Sequence, residues 1–337
     1  MNEGSILALK IAINGYGRIG RSVARIVSKR DDVKLVAIND LADRQRLSYL
    51  TRYDSVHGPL DEEVGLEGDE LVIGEDRIKI FQEPDPSKLR FADAGADVVL
   101  ECSGRFLRKD IVDVHIRNGA ERVIISAPAE DDTPTYVFGV NAHDYKGEDV
   151  ISNASCTTNC LGPIAKILDE AYGIESGLMT TIHAYTGGQS LMDAAISSDL
   201  RRCRAAAVNL VPTTTHAAEA IYKVLPSLKG KLHGRSVRVP TPDVSLMDLN
   251  LMLCKPATAE EINFLFMEQA KGELSGILGI DRSFGVSQDF CGDTRSSIVA
   301  EDLTQVVGER MVKIMAWYDN EWGYANRLVE MALHITR

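Results

Sequence analysis

The sequence predicts an α/β protein, with an N-terminal Rossmann-like parallel sheet and then an α+β domain built on a mixed or antiparallel sheet. Strand-like and helical segments alternate over the first half, as in right-handed βαβ units. Beyond residue 150 the strand-like runs are longer and fewer helical segments separate them, which favours a mixed sheet covered by helices on one face. A chain of 337 residues is long enough for two domains.

The first half contains six strand candidates, at 8–14, 33–39, 71–73, 78–81, 97–101 and 122–126. A helix is predicted directly after the first strand, because Ile19, Val23 and Ile26 recur at helical spacing. A second helix is predicted near 109–118. These elements together give the alternation on which the parallel sheet is predicted.

The second half begins with a long helix after Cys156. Strands are predicted at 177–183, 235–239, 244–253 and 312–318, and helices at 215–224, 259–271 and 322–334. Residues 185–210 have little periodicity. A long irregular stretch of this kind is typical of a functional loop or an interface segment.

Composition excludes several classes of protein. With 37 basic and 49 acidic side chains the formal net charge is −12, which argues against nucleic acid or an anionic membrane as a partner. The six cysteines form no C-x-x-C pair, so neither a disulfide scaffold nor a zinc site is predicted. The N-terminus resembles a short leader before a strand more than a signal peptide, and no apolar run is long enough for a membrane span. We therefore expect a cytoplasmic protein without a metal.

A dinucleotide fingerprint stands between the first strand and the first helix. Gly15, Gly17 and Gly20 form G-x-G-x-x-G, and Asp40 ends the next strand, 20 residues past Gly20. The glycines permit a tight turn, close approach of a pyrophosphate and close helix–strand packing. The helix N-terminus, at Arg18 and Ile19, offers backbone N–H groups to phosphates.

The acidic residue predicts the cofactor. Asp40 is expected to accept hydrogen bonds from the ribose hydroxyls, which favours NAD and repels a 2′-phosphate. Arg44 and Arg46 lie just downstream and leave NADP open as an alternative.

A thiol precedes the long helix of the second half. Cys156 follows Ser155 at the predicted N-terminus, where the helix dipole and free N–H groups stabilise a thiolate. A nucleophilic thiol needs a nearby base, and His183, where an apolar strand enters a polar loop, is the best candidate. Cys160, one turn later, is expected to be a helix-packing residue. The remaining cysteines are expected to be small buried residues; they are Cys102, Cys203, Cys254 and Cys291.

Eight sequence blocks together resemble one family. They are INGYGRIGR, YDSVHG, SNASCTTNC, TTIHAYT, LRRCRAAAVNLVPTTT, VRVPTPDVS, QDFCGDTRSS and WYDNEWGYANR. In this order they resemble the phosphorylating glyceraldehyde-3-phosphate dehydrogenases. The resemblance extends from about Lys10 to the C-terminus.

The resemblance implies a reaction and a set of site residues. Cys156 would attack the aldehyde of glyceraldehyde 3-phosphate, His183 would act as the base, and inorganic phosphate would release 1,3-bisphosphoglycerate from a thioester. The residues matching the family's anion sites are Thr186 and Arg238 for the substrate phosphate, and Ser155, Thr157, Thr215 and an arginine of the 201–204 cluster, taken as Arg202, for the attacking phosphate. Ser126 and Asn320 match positions beside the cofactor.

The resemblance also implies the architecture and assembly. Residues 1–155 would form the NAD-binding domain, joined by the C-terminal helix 322–337, and residues 156–321 would form the catalytic domain. The 185–210 segment looks like a loop that lines the cofactor site of a neighbouring subunit. A homotetramer serving glycolysis or gluconeogenesis is implied.

Three positions depart from the family pattern. His216 stands where relatives usually have a glycine whose N–H contacts phosphate, and we expect its imidazole either to crowd the anion or to add a donor. Gly188 replaces a common Asn or Asp, and Pro84 stands where many relatives have an arginine facing the cofactor. Two alternatives follow: an erythrose-4-phosphate dehydrogenase, and a catalytically weak NAD-binding paralogue with an interaction role.

Overall fold

The computed structural model describes residues 8–336 and all their side chains except that of Glu219. Eight strands form its first sheet. The strands are β1 (Leu9–Asn14), β2 (Val33–Asn39), β3 (Val64–Glu67), β4 (Glu70–Ile73), β5 (Asp76–Phe81), β6 (Val98–Glu101), β7 (Arg122–Ile125) and β8 (Val150–Ser152). Their order is β3-β4-β5-β2-β1-β6-β7-β8. The six strands from β5 to β8 are parallel, and β3 and β4 add an antiparallel edge.

Central strands of this sheet are covered on both faces. Ile11, Ala12 and Ile13 of β1 are fully buried, as are Val98, Val99 and Leu100 of β6. Such continuous apolar strands are typical of parallel sheets, whose crossover helices cover both sides. The helices are α1 (Arg18–Val27), α2 (Arg44–Arg52), α3 (Lys109–Val112) and α4 (Val114–Arg117).

The second sheet is mixed. Its strands are β9 (Ile174–Ala184), β10 (Val211–Thr214), β11 (Leu232–Val239), β12 (Ser245–Leu253), β13 (Leu278–Asp281), β14 (Ser297–Ala300), β15 (Gln305–Val307) and β16 (Met311–Tyr318). The order is β10-β11-β9-β12-β16-β14-β13, with β15 paired to β16. Only β11–β9 and β13–β14 pair in parallel among these strands. The remaining helices are α5 (Cys156–Tyr172), α6 (Ala259–Lys271) and α7 (Trp322–His334). The predicted fold class is confirmed.

The helix α5 packs against β12, β14 and β16 of the second sheet. Its apolar residues Leu161, Ile164 and Leu168 are fully buried. The side chain of Ser155 caps the helix by accepting from the backbone N–H of Thr158 at 3.0 Å. Burial of this helix and its cap together fix the position of its first residue, Cys156.

Two compact units are distinguished by their internal contacts. One consists of residues 8–136, 144–154 and 325–336, and the other of residues 137–143 and 155–324. We propose that residues 1–155 and 322–337 form the NAD-binding domain and that residues 156–321 form the catalytic domain. Among the described residues no helix is both long and apolar enough to cross a membrane.

Two helix predictions need correction. Residues 215–224 contain a short 3₁₀ turn, Glu219–Lys223, and no α-helix. The segment follows β10, which ends at Thr214, and Pro226 disfavours helical backbone at residue 225, so a helix could not continue past it. The predicted helix near 109–118 is divided at Asp113 into α3 and α4.

Candidate active site

The glycine loop between β1 and α1 lines a cavity of about 260 Å³ in the first unit. Gly15 has φ +93°, and a Cβ there would lie 2.4 Å from the backbone of Ser103. A Cβ on Gly20 would lie 2.5 Å from the carbonyl oxygen of Gly15, whereas one on Gly17 would meet nothing within 4 Å. Two glycines are thus required by packing, and Gly17 leaves space for a ligand to approach the backbone.

Asp40 lines the same cavity and is held firmly at the end of β2. Its Oδ2 accepts from the backbone N–H of Tyr16 at 3.0 Å, and its Oδ1 accepts from that of Ala42 at 2.9 Å. Each carboxylate oxygen has a further lone pair, so a ribose hydroxyl still fits as a donor. The carboxylate therefore both anchors the glycine loop and presents negative charge to the cavity.

The other predicted cofactor residues of this unit surround the same turn. The guanidinium of Arg18 pairs with Asp54. Arg18 and Ile19 form the first turn of α1, and the backbone N–H groups of a first helical turn suit a phosphate. Ser126 follows β7, and its backbone N–H donates to the carbonyl of Glu101 at 3.0 Å. Its hydroxyl also contacts the thiol of Cys102, which lines the cavity. These groups suit a dinucleotide.

The second unit brings the predicted thiol and the predicted base together. Cys156 is the first residue of α5, and His183 is near the end of β9. The Sγ of Cys156 lies 3.6 Å from Nε2 of His183. The two side chains lie close together because α5 packs on the sheet that contains β9. This distance is within reach of a proton transfer from thiol to imidazole.

Sheet register places Arg238 beside the same histidine. Arg238 on β11 is the direct parallel partner of His183 on β9. Its Nη1 lies 2.7 Å from Nδ1 of His183 and donates to the carbonyl of Ala184 at 3.1 Å. The Nδ1 of His183 also lies 2.7 Å from that carbonyl oxygen.

Burial shifts the pKa of both side chains. Burial, together with the cationic side chains of Arg238 and Arg202, lowers the pKa of His183 to about 3. Burial also raises the pKa of the Cys156 thiol, against the opposing effects of Arg238 and Thr157. Burial therefore opposes a charge on either side chain, and Arg238 favours the charged form of the thiol.

Tyr318 is a site residue that the sequence analysis did not single out. Its hydroxyl bonds to Thr157 Oγ1 at 3.0 Å and to Thr181 Oγ1 at 2.7 Å. Its ring meets that of His183 edge to face, with centroids 6.0 Å apart. Its position in the sequence could have indicated this, because Tyr318 ends the predicted strand 312–318, in which apolar residues alternate, and directly precedes Asp319 and Asn320.

Asn320 is linked through a buried hydroxyl to the backbone of Ala184, next to His183. Ser245 donates to Oδ1 of Asn320 at 2.6 Å, and the backbone N–H of Ala184 donates to Ser245 at 3.1 Å. Asn320 is 5% exposed, so its amide is fixed by this chain of bonds. Its remaining donor, Nδ2, is the group left for a ligand.

The predicted anion residues differ in the contacts that they make. Arg202 donates to Thr213 at 2.9 Å, and its charge acts on both His183 and Arg238. In the described part of the chain, Thr186 and Thr215 make no hydrogen bond to Cys156, His183 or Arg238. His216 is exposed, and its carbonyl accepts from the backbone N–H of Ala220 at 2.7 Å.

The expectation that the other cysteines are buried holds only in part. Cys160 is fully buried and bonds to Ser297 at 3.5 Å. Cys102, Cys203 and Cys291 are partly buried, and Cys254 is exposed. The expectation was wrong for Cys254, because it lies just beyond the end of β12, where the chain reaches the surface.

A parallel sheet with a dinucleotide fingerprint, joined to a second unit holding a thiol and an imidazole, defines an NAD-binding oxidoreductase. Two family models support this class. The NAD-binding domain of glyceraldehyde 3-phosphate dehydrogenase matches residues 9–109, and the C-terminal domain of that enzyme matches residues 155–320. The chain belongs to the glyceraldehyde-3-phosphate dehydrogenase family, as its sequence blocks predicted.

Named relatives are similar over nearly the whole chain. A glyceraldehyde-3-phosphate dehydrogenase of Geobacillus stearothermophilus is 49% identical over 331 residues, covering 98% of this chain and 98% of the relative. Glyceraldehyde-3-phosphate dehydrogenase 1 of Bacillus subtilis is 48% identical over 333 residues, covering 98% and 99%. A cytosolic glyceraldehyde-3-phosphate dehydrogenase of Pisum sativum is 47% identical over 333 residues, covering 98% of both chains.

Proposed function

We propose that this enzyme oxidises and phosphorylates D-glyceraldehyde 3-phosphate to 1,3-bisphosphoglycerate and reduces NAD. The observation that carries the proposal is the thiol of Cys156, which starts α5 at 3.6 Å from Nε2 of His183. A thiol within reach of an imidazole suits nucleophilic attack on an aldehyde with proton transfer to the base. Membership of the glyceraldehyde-3-phosphate dehydrogenase family supports the same substrate.

The chemical steps follow from these two side chains. The thiol proton moves to Nε2 of His183 as sulfur adds to the carbonyl carbon, and the imidazolium returns a proton to the new oxygen. This thiohemiacetal then loses its hydroxyl proton to Nε2 while a hydride leaves carbon, which gives a thioester on Cys156. NAD, when bound, supplies the hydride acceptor. A phosphate oxygen next attacks the thioester carbonyl, the carbon–sulfur bond breaks, and the acyl phosphate departs.

The backbone N–H of Cys156, at the start of α5, is proposed to stabilise the oxyanion together with His183. The amide points along the helix axis, and a helix N-terminus favours negative charge. The buried hydroxyl of Thr157 is bonded to Tyr318, so Thr157 would serve the attacking phosphate through its backbone N–H.

Two anion sites are proposed beside the thiol. Arg238 and Thr186 would hold the phosphate of the substrate. The attacking phosphate would be held by Ser155, Thr157, Arg202, Thr215 and His216. The fork of an arginine matches phosphate oxygens, and Arg202 and Arg238 already act on the same histidine.

The first unit is proposed to bind NAD in preference to NADP. Phosphates would meet the backbone at Gly15, Gly17 and Gly20 and the first turn of α1, with Asp40 on the ribose. Ser126 and Asn320 are proposed to contact the nicotinamide end. The carboxylate of Asp40 is already fixed by two backbone donors, so it cannot swing aside for a 2′-phosphate without losing them.

Cell context and assembly are proposed from the family and from charge. We propose a cytoplasmic homotetramer that acts in glycolysis or gluconeogenesis and binds neither nucleic acid nor membrane. The net charge of −12 supports the last point.

The decisive assay measures reduction of NAD and of NADP with glyceraldehyde 3-phosphate and with erythrose 4-phosphate, with and without inorganic phosphate. We expect phosphate-dependent reduction of NAD by the triose. Preference for the tetrose would favour an erythrose-4-phosphate dehydrogenase. NAD binding without turnover would favour the non-catalytic alternative, and phosphate-independent oxidation would contradict acyl-phosphate formation.

A further inference from the structure

A strained residue directly precedes the strand β12. Val244 has φ +63°, and among the described non-glycine residues with positive φ it alone is branched at Cβ. The left-handed region is strongly unfavourable for such a side chain, so the surrounding structure must hold the backbone there. The side chain of Val244 is 3% exposed and packs with Phe290 and Ile298. Because backbone strain concentrates at functional sites, the residue that follows is a candidate for a functional role.

Ser245, the first residue of β12, has a hydroxyl that joins two other segments. The backbone N–H of Ala184, at the end of β9, donates to Oγ of Ser245 at 3.1 Å, and the hydroxyl donates to Oδ1 of Asn320 at 2.6 Å. Ser245 is fully buried and pairs with Tyr318 across the sheet. The hydroxyl thus connects the strand that contains His183 with the loop that contains Asn320.

The direction of these hydrogen bonds fixes the orientation of the Asn320 amide. A backbone N–H can only donate, so the Ala184 N–H occupies a lone pair of the Ser245 oxygen. The one hydroxyl proton is then available to Asn320, which accepts it through Oδ1. The two ends of a carboxamide have nearly the same shape but opposite hydrogen-bonding roles. Ser245 therefore decides that Nδ2, a donor, is the end left for a ligand.

We propose that Ser245 is a positioning residue, which orients the amide of Asn320 so that Nδ2 is presented as a donor to the nicotinamide carboxamide. This inference rests on the proposed function, in which Asn320 contacts the nicotinamide end. The strained turn at Val244 belongs to the same arrangement, since it sets where β12 begins and hence where the Ser245 hydroxyl lies. Through Ala184 the same hydroxyl holds the end of β9, next to His183.

A purely structural role for Ser245 makes a different prediction. The hydroxyl satisfies two buried groups, the Ala184 N–H and the Asn320 carbonyl oxygen, and leaving either without a partner costs stability whether or not a cofactor is bound. In that case removal of the hydroxyl would weaken the fold and leave the contribution of the nicotinamide to binding unchanged. Under our proposal that contribution falls. Comparing NAD with a fragment that lacks the nicotinamide separates the two roles.

The experiment measures the dissociation constants of NAD and of ADP-ribose, which lacks the nicotinamide, by calorimetric titration of the whole enzyme without aldehyde. The ratio of the two constants isolates the contribution of the nicotinamide. In Ser245→Ala we expect the preference for NAD over ADP-ribose to fall about tenfold, the value of one hydrogen bond, and the affinity for ADP-ribose to stay unchanged. An unchanged preference, or equal weakening of both ligands, would overturn the proposal.

A double-mutant cycle tests whether Ser245 acts through Asn320. Asn320→Ala alone should lower the preference for NAD by a similar factor. Adding Ser245→Ala should cause no further decrease, because the amide that the hydroxyl orients is already absent. Additive losses in the double variant would show that Ser245 acts independently of Asn320 and would contradict the proposal.

Ser245→Cys separates hydrogen bonding from packing. The thiol fills nearly the same space but is a weak donor, so this variant should lose the preference for NAD as Ser245→Ala does. It also keeps the test available if Ser245→Ala does not fold. A wild-type preference in Ser245→Cys would show that the space filled by the side chain matters and that its hydrogen bond does not, which would refute the proposal.

Ser236→Ala is the matched control. Ser236 is 2% exposed on β11 of the same sheet, and its Oγ has no hydrogen-bond partner among the described residues. Its removal should leave both dissociation constants at their wild-type values. A fall in the preference for NAD in this variant as well would assign the effect to the loss of any buried hydroxyl and would count against Ser245.

Failure of this proposal and failure of the proposed function have different outcomes. The titrations use neither aldehyde nor turnover, so they do not depend on which aldehyde is oxidised. A wild-type enzyme that bound ADP-ribose but not NAD would contradict both proposals. An unchanged preference for NAD in Ser245→Ala would refute the role of Ser245 alone.

Discussion

The cofactor cavity of the first unit and the thiol centre of the second unit are built by different means. The cavity depends on one continuous turn, Gly15 to Gly20, in which two glycines are required by backbone contacts of 2.4 and 2.5 Å. The thiol centre is assembled from α5, β9, β11 and β16, through sheet register and burial. Substitutions in the glycine turn should therefore destabilise the protein through steric strain. Substitutions in the thiol centre should instead lower activity and leave the fold intact.

The largest expected effect is at the nucleophile. Cys156→Ser should abolish aldehyde oxidation and leave NAD affinity unchanged, because no thioester can form while the first unit is untouched. Steady-state rates and NAD titration by fluorescence measure the two quantities. Cys254→Ser, at an exposed cysteine, is the control and should keep full activity. Unchanged turnover in Cys156→Ser would exclude the proposed mechanism.

The next effect is at the base. His183→Asn should lower kcat by roughly 10²-fold or more, the usual contribution of a positioned acid–base group. Asparagine retains a polar group near the carbonyl of Ala184 but cannot accept the thiol proton. Pre-steady-state rates of NADH formation measure the loss. A decrease smaller than tenfold would remove His183 from this role.

Two glycine variants test the cofactor cavity. Gly15→Ala should destabilise the protein by about 1–3 kcal/mol or more, because its Cβ collides with the backbone of Ser103 at a positive φ. Gly17→Ala has open space around its Cβ, so it should leave stability nearly unchanged and weaken only NAD binding. Urea unfolding and NAD titration separate the effects. Equal loss of stability in both variants would contradict the packing argument.

Stability should also depend on the pH through His183. Its pKa is about 3 in the folded protein and near its ordinary 6.5 in the unfolded chain, so the unfolded state binds more protons between these values. The wild type should therefore lose stability progressively as the pH falls from about 6.5 toward 3. His183→Gln should lose less over this range, as measured by thermal unfolding at each pH. Parallel curves for the two proteins would show that His183 does not titrate in this way.

The smallest expected effect is at an exposed position. His216→Gly should lower the KM for inorganic phosphate a few-fold if the imidazole crowds the anion, with kcat unchanged. Initial rates at varied phosphate measure it. A higher KM would instead show that the imidazole donates to the phosphate.

Local patterns determined much of this protein. The fingerprint from Gly15 to Gly20, the alternation of strands with helices and the placement of Cys156 at a helix start could all be predicted, because each depends on residues close together in the chain. The predicted helix 215–224 was wrong, since the segment between β10 and Pro226 forms only a 3₁₀ turn at Glu219–Lys223. Helical periodicity alone does not distinguish a short 3₁₀ turn from an α-helix.

By itself the sequence determined the fold class and the family and predicted Cys156 and His183 as the reactive pair, since glycine spacing, apolar periodicity and helix-start chemistry are local properties. Only the tertiary structure decided the 3.6 Å distance from Cys156 to His183, the contact of Arg238 with Nδ1 and the role of Tyr318. These contacts join residues 27 to 161 positions apart in the chain. They arise from strand register and from the burial of α5 on the second sheet, because that packing sets which side chains share one face.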